Sequence, residues 1–254
     1  MKRIESTQNS LVKYWKKLVT TRKERDKSGE FLVEGFHLAE EALRKEGTVL
    51  HLIVREDVEL PASWNVGQIQ LIEITKAVAN EIAETEHSQG VYAHCRQTEI
   101  RMDEKDAWDK FLFVDAVQDP GNIGTILRTA DAAGIDAVIL GKGAADPYNP
   151  KTVRSAQGSH FHIPIIREDL HDWISYAKNR GIPVIGTGLE NANEHYQLGA
   201  LPAFCLLVGN EGSGVNPEFL KEADEIVKIP LYGQAESLNV AVATGILLYT
   251  VGRR

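Results

Sequence analysis

Two cysteines, Cys95 and Cys205, are all that 254 residues contain. They stand far apart and outside any CxxC or Cys/His cluster. That excludes a disulfide scaffold and a structural zinc site, and it suits a reducing, cytoplasmic setting. The greasiest stretch, Val240 to Val251, is well short of the roughly 20 apolar residues that span a bilayer and carries polar positions, so no membrane association is expected. Met1-Lys2-Arg3-Ile4-Glu5 has no apolar segment behind its charges, so no secretory leader is expected. No G-x-G-x-x-G turn is followed by an acidic residue at dinucleotide-site spacing, and neither a Walker A lysine motif nor a G-x-S-x-G elbow occurs. A Rossmann cofactor site, a P-loop and an α/β-hydrolase are thereby poorly supported. Gly186-Thr187-Gly188 and Gly141-Lys142-Gly143 are only fragments of glycine-rich turns. His160-x-His162 has no third ligand in sequence; it reads as structural, and no metal is expected.

What is present is ordinary for a globular chain, with 43% hydrophobic and 25% charged residues. The formal net charge of −8 argues against nucleic acid until its distribution is inspected. Between Met1 and Lys27 nine Lys or Arg face three Asp or Glu, a local balance of +6 that leaves −14 for the rest. A basic arm on an acidic body is either a solvated helix face or a polyanion contact.

Glycine and proline divide the chain. Residues 1–105 hold five of 21 Gly and one of nine Pro. The first half predicts a small α/β unit over 1–97: a helix on Leu11, Val12, Trp15 and Leu18, a strand at 31–33 running into a helix from Phe36 to Leu43, strands at 50–54, 71–74 and 91–95, and a helix over 76–83. A polar linker is expected over 98–109. Beyond it, over 110–254, apolar strands near 111–114, 137–140, 163–166, 183–186, 204–208 and 226–229 alternate with helices, the last starting near Leu238. That alternation predicts a mostly parallel sheet covered on both faces.

In such sheets ligands bind beyond the carboxyl ends of the strands. Three strand ends carry unusual sequence: Asp119-Pro120-Gly121-Asn122-Ile123-Gly124 leading to Arg128-Thr129, then Val208-Gly209-Asn210-Glu211-Gly212-Ser213-Gly214, then Ile229-Pro230-Leu231 running through Ser237-Leu238-Asn239-Val240. Each alone is explained by helix capping, for which Asp, Asn, Ser and Gly are favoured. Each also holds a polar residue that a cap does not need.

Together, Asn122-x-Gly124-x-x-x-Arg128-Thr129, Val208-Gly209-Asn210-Glu211-Gly212-x-Gly214 and Ile229-Pro230-Leu231 with Ser237-Leu238-Asn239-Val240-x-x-Ala243 resemble the three motifs of the SpoU (TrmH-like) RNA ribose methyltransferases of the SPOUT superfamily. Lys151-x-x-Arg154-Ser155-x-x-Gly158 is similar to a helix of that family's catalytic domain. Phe31-Leu32-Val33-Glu34-Gly35 and Ser88-Gln89-Gly90-Val91 resemble its N-terminal substrate-binding domain, related to the L30e fold. The resemblance implies an α/β chain with an L30e-like domain followed by a SPOUT domain with a C-terminal trefoil knot. It further implies a homodimer formed through the SPOUT domain and methyl transfer from S-adenosyl-L-methionine to a ribose 2′-hydroxyl, ribosomal RNA being favoured over transfer RNA. A non-catalytic RNA-binding or ribosome-assembly protein on the same fold, and a base methyltransferase of the wider superfamily, are the competing expectations.

By position, the resemblance assigns the cofactor to Gly209, Ile229, Leu231, Ser237 and Leu238, with glycine at 209 letting the chain lie against it. Arg128, Asn122, Glu211 and Asn239 are the expected catalytic group. Arg128 would act as a base or as a clamp on the phosphate beside the target ribose; arginine effectively never loses its proton, which favours the clamp. Glu211 would position Arg128 or Asn122. Lys13, Lys16, Lys17, Arg22, Lys23 and Arg154 would contact RNA, along with Arg25 and Lys27 of the basic arm.

Overall fold

The computed structural model describes residues 2–100 and 103–252. It contains two compact units, residues 1–99 with 148–161, and residues 100–147 with 162–254.

The first unit begins with β1 (Lys2–Ile4), α1 (Ser10–Thr20) and α2 (Arg22–Ser28). It continues through β2 (Glu30–Glu34), α3 (Phe36–Arg44), β3 (Val49–Arg55), β4 (Gln70–Ile74), α4 (Lys76–Ile82) and β5 (Val91–Arg96). Asn9 starts α1 by accepting the Leu11 amide at 2.9 Å. Val12, Trp15 and Leu18, spaced three apart, are its buried stripe. The sheet is mixed, in the order β1-β4-β3-β5-β2, with β1, β4 and β3 parallel and β5 antiparallel to β3 and β2.

The second unit starts with β6 (Lys110–Val114), α5 (Pro120–Ala132) and β7 (Ala137–Leu140). The helix α6 (Pro150–Ala156) then belongs to the first unit, where Val153, Tyr148 and Phe161 share a core with Phe31 and Leu38. This differs from the expectation that residues 151–158 lie with the second half, because the apolar face of α6 is spent on β2. The chain resumes the second unit with β8 (Ile165–Arg167), α7 (Leu170–Asn179), β9 (Val184–Thr187), β10 (Asn193–Glu194), β11 (Phe204–Val208), α8 (Pro217–Glu222), β12 (Glu225–Lys228) and α9 (Val240–Val251).

Its seven strands are all parallel, in the order β10-β12-β9-β11-β6-β7-β8. The central strands β6, β7 and β11 are continuous apolar runs because both faces are covered. Phe111 and Phe113 face the layer of α7 and α8, in one core with Trp173, Ile174 and Phe219. The path steps from β6 through α5 to β7, then crosses back from β8 through α7 to β9. Right-handed crossovers of opposite sense place α5 and α7 on opposite faces; α9 packs on α5. The sheet's direction of winding therefore reverses at β6 and β11.

Candidate active site

All three unusual loops leave the carboxyl ends of β6, β11 and β12. The first is shaped by Asp119, whose Oδ1 accepts the Asn122 amide at 3.0 Å, with Pro120 in the first turn of α5. The second is built on Asn210, whose Oδ1 accepts the amides of Gly212 at 2.9 Å and Ser213 at 3.2 Å while its Nδ2 donates to the Ala116 carbonyl at 2.8 Å. The third ends at Asn239, which caps α9 by accepting the Ala241 amide at 2.9 Å.

These loops close into one chain of side chains. Glu211 accepts from Asn122 Nδ2 at 3.0 Å and from the amides of Asp119 at 3.0 Å and Gln118 at 3.1 Å. Asn122 Oδ1 in turn accepts from Asn239 Nδ2 at 2.9 Å. Partial burial pushes the Glu211 carboxyl upward, but the hydrogen bonds from Asn122, Asp119 and Gln118 outweigh it and hold the group below the usual carboxylate range. Asn122, Glu211 and Asn239 therefore come together as a unit, with Glu211 fixing Asn122.

Arg128 lies farther along α5, exposed, with no hydrogen-bond or ion-pair partner among the described residues. Asp131, a neighbour able to neutralise it from the same helix, is engaged instead by His162 at 2.7 Å. A guanidinium left unpaired is available to an anionic ligand.

Gly209 lies where the second loop turns back on itself. A Cβ there would stand 2.2 Å from the Gly214 carbonyl carbon and 2.2 Å from the Val215 nitrogen. Glycine is demanded by the loop's own backbone, which turns back through the Asn210–Gly214 bridge.

Ile229, Leu231, Ser237 and Leu238 share one irregular segment between β12 and α9. Among the described residues, no backbone-to-backbone hydrogen bond engages residues 230–238. Leu231 and Leu238 are 38% and 36% exposed. A run of unpaired amides and carbonyls between two half-open leucines fits a purine-bearing cofactor read through main-chain groups. Among the described residues Ser237 makes no capping hydrogen bond; that role belongs to Asn239.

The residues expected on RNA lie in the first unit. Lys13, Lys17 and Lys23 are exposed and have no ion-pair partner among the described residues. Lys16 is held by Glu81 at 2.5 Å and Arg22 by Asp26 at 3.3 Å. Arg154 is ion-paired with Glu84. Arg25 leaves the arm altogether: it is buried and donates to the Leu18 and Val19 carbonyls at 2.6 and 3.1 Å, joining α1 to α2.

Asn210 and Asp115, whose Oδ2 accepts the Asn216 amide at 2.7 Å, are organising residues that sequence reasoning did not single out. The N-E-G-x-G spacing was the available signal for Asn210, since a short amide side chain among glycines favours a side-chain-closed turn.

The chain matches the model of the SpoU rRNA Methylase family over residues 109–249 and that of the MRM3-like substrate binding domain over residues 9–93. It is 48% identical, over 98% of both chains, to the Bacillus subtilis 23S rRNA (guanosine(2553)-2′-O)-methyltransferase RlmP. Among solved structures, the AdoMet-bound rRNA methyltransferase from Sinorhizobium meliloti superposes with a TM-score of 0.86 at 34% identity, covering 98% of this chain and 96% of that one. The Streptomyces viridochromogenes SpoU methyltransferase AviRb in complex with AdoMet gives a TM-score of 0.84 at 29% identity over 96% and 97% of the two chains. With its three motifs closed into one site and a substrate-binding domain ahead of them, the chain belongs to the SpoU family of S-adenosylmethionine-dependent RNA 2′-O-methyltransferases.

Proposed function

We propose that this protein methylates a ribose 2′-hydroxyl of 23S rRNA. The observation that carries the reading is the hydrogen-bond chain Glu211–Asn122–Asn239, with an unpaired Arg128 farther along α5, in a chain similar throughout its length to RlmP. S-adenosylmethionine, when bound, supplies the methyl group and a good leaving group. Residues of the 229–238 segment would hold it through main-chain groups, with Leu231 and Leu238 as apolar walls. Asn122, fixed by Glu211 and Asn239, orients the ribose. Arg128 clamps the neighbouring phosphate, and the hydroxyl proton leaves to that phosphate or to solvent. The catalysis asked of this site is chiefly positioning.

Lys13, Lys17 and Lys23 supply phosphate neutralisation. A homodimer through the second unit is supported by α9, which exposes Val242, Ile246 and Tyr249 at intervals of about one turn, 53%, 37% and 58% open. The trefoil knot belongs to this reading as well, supported by the insertion of β11 between β6 and β9 and the return of α9 onto α5. A cytoplasmic location accords with two free buried thiols.

The test is to incubate purified protein with S-adenosylmethionine and unmodified 23S rRNA and map ribose methylation. A single new 2′-O-methylated nucleotide, absent with Arg128→Ala, is expected. No methylated ribose, or methylation on a base, overturns the reading.

A further inference from the structure

The second unit has a cavity of about 510 Å³ that lies outside the cofactor segment. It opens beyond the carboxyl ends of β6, β7 and β11, next to the reversal of the sheet's winding at β6 and β11, the place at which open α/β sheets bind ligands. Its lining includes Asp115, Lys142, Leu170, His171, Val215 and Phe219. The volume is that of a pocket for a nucleoside-sized molecule.

The walls are built closely. Gly141 is required because a Cβ would stand 2.8 Å from Leu170 Cδ1, and Gly143, at φ +91, brings its loop against Ala116. Ala116 itself holds the left-handed conformation at φ 52, unusual for a residue with a Cβ, and its carbonyl is pinned by Asn210. Backbone held in such a conformation points to a function the site must serve. Next to it, Asp115 is 7% exposed. Its Oδ2 accepts the Asn216 amide, and its Oδ1 has no hydrogen-bond partner among the described residues. Phe219 and His171 form an aromatic wall, ring centroids 4.6 Å apart, with His171 steadied by Glu222 at 2.5 Å. Lys142 stands exposed at the rim, also without a partner among the described residues. Lys142 of the Gly141-Lys142-Gly143 fragment thus belongs to the rim of this cavity.

A carboxylate only accepts. Among the four RNA bases, guanine alone presents two adjacent N–H donors, N1–H and the 2-amino group, on its Watson–Crick edge. The geometry points to this cavity as the receptor for the guanine base of the nucleotide whose ribose is methylated. The base lies against Phe219 and His171, Asp115 accepts from its N1–H and 2-amino group, and Lys142 meets a phosphate. Oδ2 keeps a second lone pair beyond the Asn216 amide for this purpose. The proposed methylation site is one residue away in the chain: Asn210 lines the cavity and Glu211 holds Asn122. A base turned out of a stack and read by its edge and face is the ordinary manner of single-nucleotide RNA recognition. The inference rests on the methylation reading given above.

Two measurements test it. In the full-length protein with 13C-labelled Leu and Val methyls, guanosine 5′-monophosphate should shift Leu170 and Val215 saturably, binding about tenfold or more tightly than adenosine 5′-monophosphate. Asp115→Asn, which keeps an acceptor for the Asn216 amide and turns a donor to the cavity, should abolish that preference. Lys142→Ser, an exposed change that leaves the core intact, should bring the nucleotide's affinity down to that of guanosine. On a 23S rRNA fragment, Asp115→Asn should raise KM about tenfold with kcat within about threefold. Equal response to the two nucleotides, shifts caused by argininamide instead, or shifts unaltered by both variants overturn the pocket. If no ribose is methylated in any rRNA, the function is wrong, and the nucleotide titration alone judges the cavity.

Discussion

Asn239 Nδ2 donates to Asn122 Oδ1 across 2.9 Å, joining residues 117 positions apart in the chain. The cap of the closing helix and the first turn of α5 are thereby locked, and Glu211 holds the other end of the Asn122 amide. One side chain at position 239 caps a helix and orients another site residue.

That double duty is separable. Asn239→Asp keeps an oxygen for the Ala241 amide, so the cap survives, but it loses the donor to Asn122. The melting temperature should stay within a few degrees of wild type while kcat falls about tenfold or more, because an anionic oxygen then faces the Asn122 carbonyl oxygen in place of the donor. Asn239→Ala should lose the cap as well, at about 1 kcal/mol. A thermal melt beside single-turnover kinetics checks both; equal kcat in wild type and Asn239→Asp removes Asn239 from the positioning chain.

Gly209→Ala should act on folding before it acts on the cofactor. The new methyl meets backbone at Gly214 and Val215, which cannot swing aside as a side chain would. Overpacking of this kind costs about 3 kcal/mol, or a fall in Tm of roughly 6–12 °C for a chain of this size. Differential scanning calorimetry without cofactor reads the effect directly. An unchanged melt would mean that the 209–215 loop relaxes and that cofactor contact is the reason for glycine.

Much of this architecture was legible in sequence, and the exceptions have physical causes. β6, β7 and β11 are unbroken apolar runs, and α1 shows its buried stripe at helical spacing. By contrast, α2 reads Arg-Lys-Glu-Arg-Asp-Lys-Ser, with no apolar periodicity; it exists because buried Arg25 ties it to the end of α1. β1 is three residues long and is defined only by pairing with β4. The membership of α6 in the first unit is a long-range packing fact. The Glu211–Asn122–Asn239 chain was foreseeable as three motifs, whereas the cavity at Asp115 is assembled from separate segments and leaves no local pattern.

In the first unit, His51 and His94 meet through their Nδ1 atoms at 2.9 Å, and His94 Nε2 lies 2.8 Å from Glu30. Burial lowers both imidazoles below their ordinary 6.5, against the opposing pull of Glu30. Their unfolded forms bind protons that the folded forms refuse. The stability they contribute is therefore full above about pH 6.5 and is lost as pH falls from there toward the lowered folded values. Denaturant melts at about pH 7.5 and about pH 5.5 should show this loss, and His51→Gln with His94→Gln should flatten it. A slope unchanged in the double variant assigns the acid sensitivity elsewhere.

Lys13, Lys17 and Lys23 should govern RNA affinity more than Lys16, Arg22 or Arg154, which already answer to Glu81, Asp26 and Glu84. Reversing the three free lysines to glutamate should weaken rRNA binding and flatten the dependence of log K on log salt by about 0.7–0.9 for each phosphate no longer neutralised. Affinity for S-adenosylmethionine should not change. Filter binding across a salt series decides the matter, and an unaltered slope would return the arm to a solvated helix face.

In the proposed function Arg128 clamps a phosphate and does not itself remove the hydroxyl proton. Arg128 has no hydrogen-bond or ion-pair partner among the described residues, and arginine effectively never loses its proton in proteins. The proposed clamp role makes a specific demand of Arg128→Lys. Lysine keeps the charge but replaces a planar fork with a point donor, so the variant should retain activity reduced about 10²-fold, with KM for RNA raised. Below the lysine range its pH–rate profile should parallel that of wild type. A general base at position 128 would behave differently. The lysine would have to be neutral to act, and the rate would climb about tenfold per pH unit toward the lysine pKa. Such a climb in Arg128→Lys overturns the clamp; parallel profiles leave proton removal to the substrate phosphate and water.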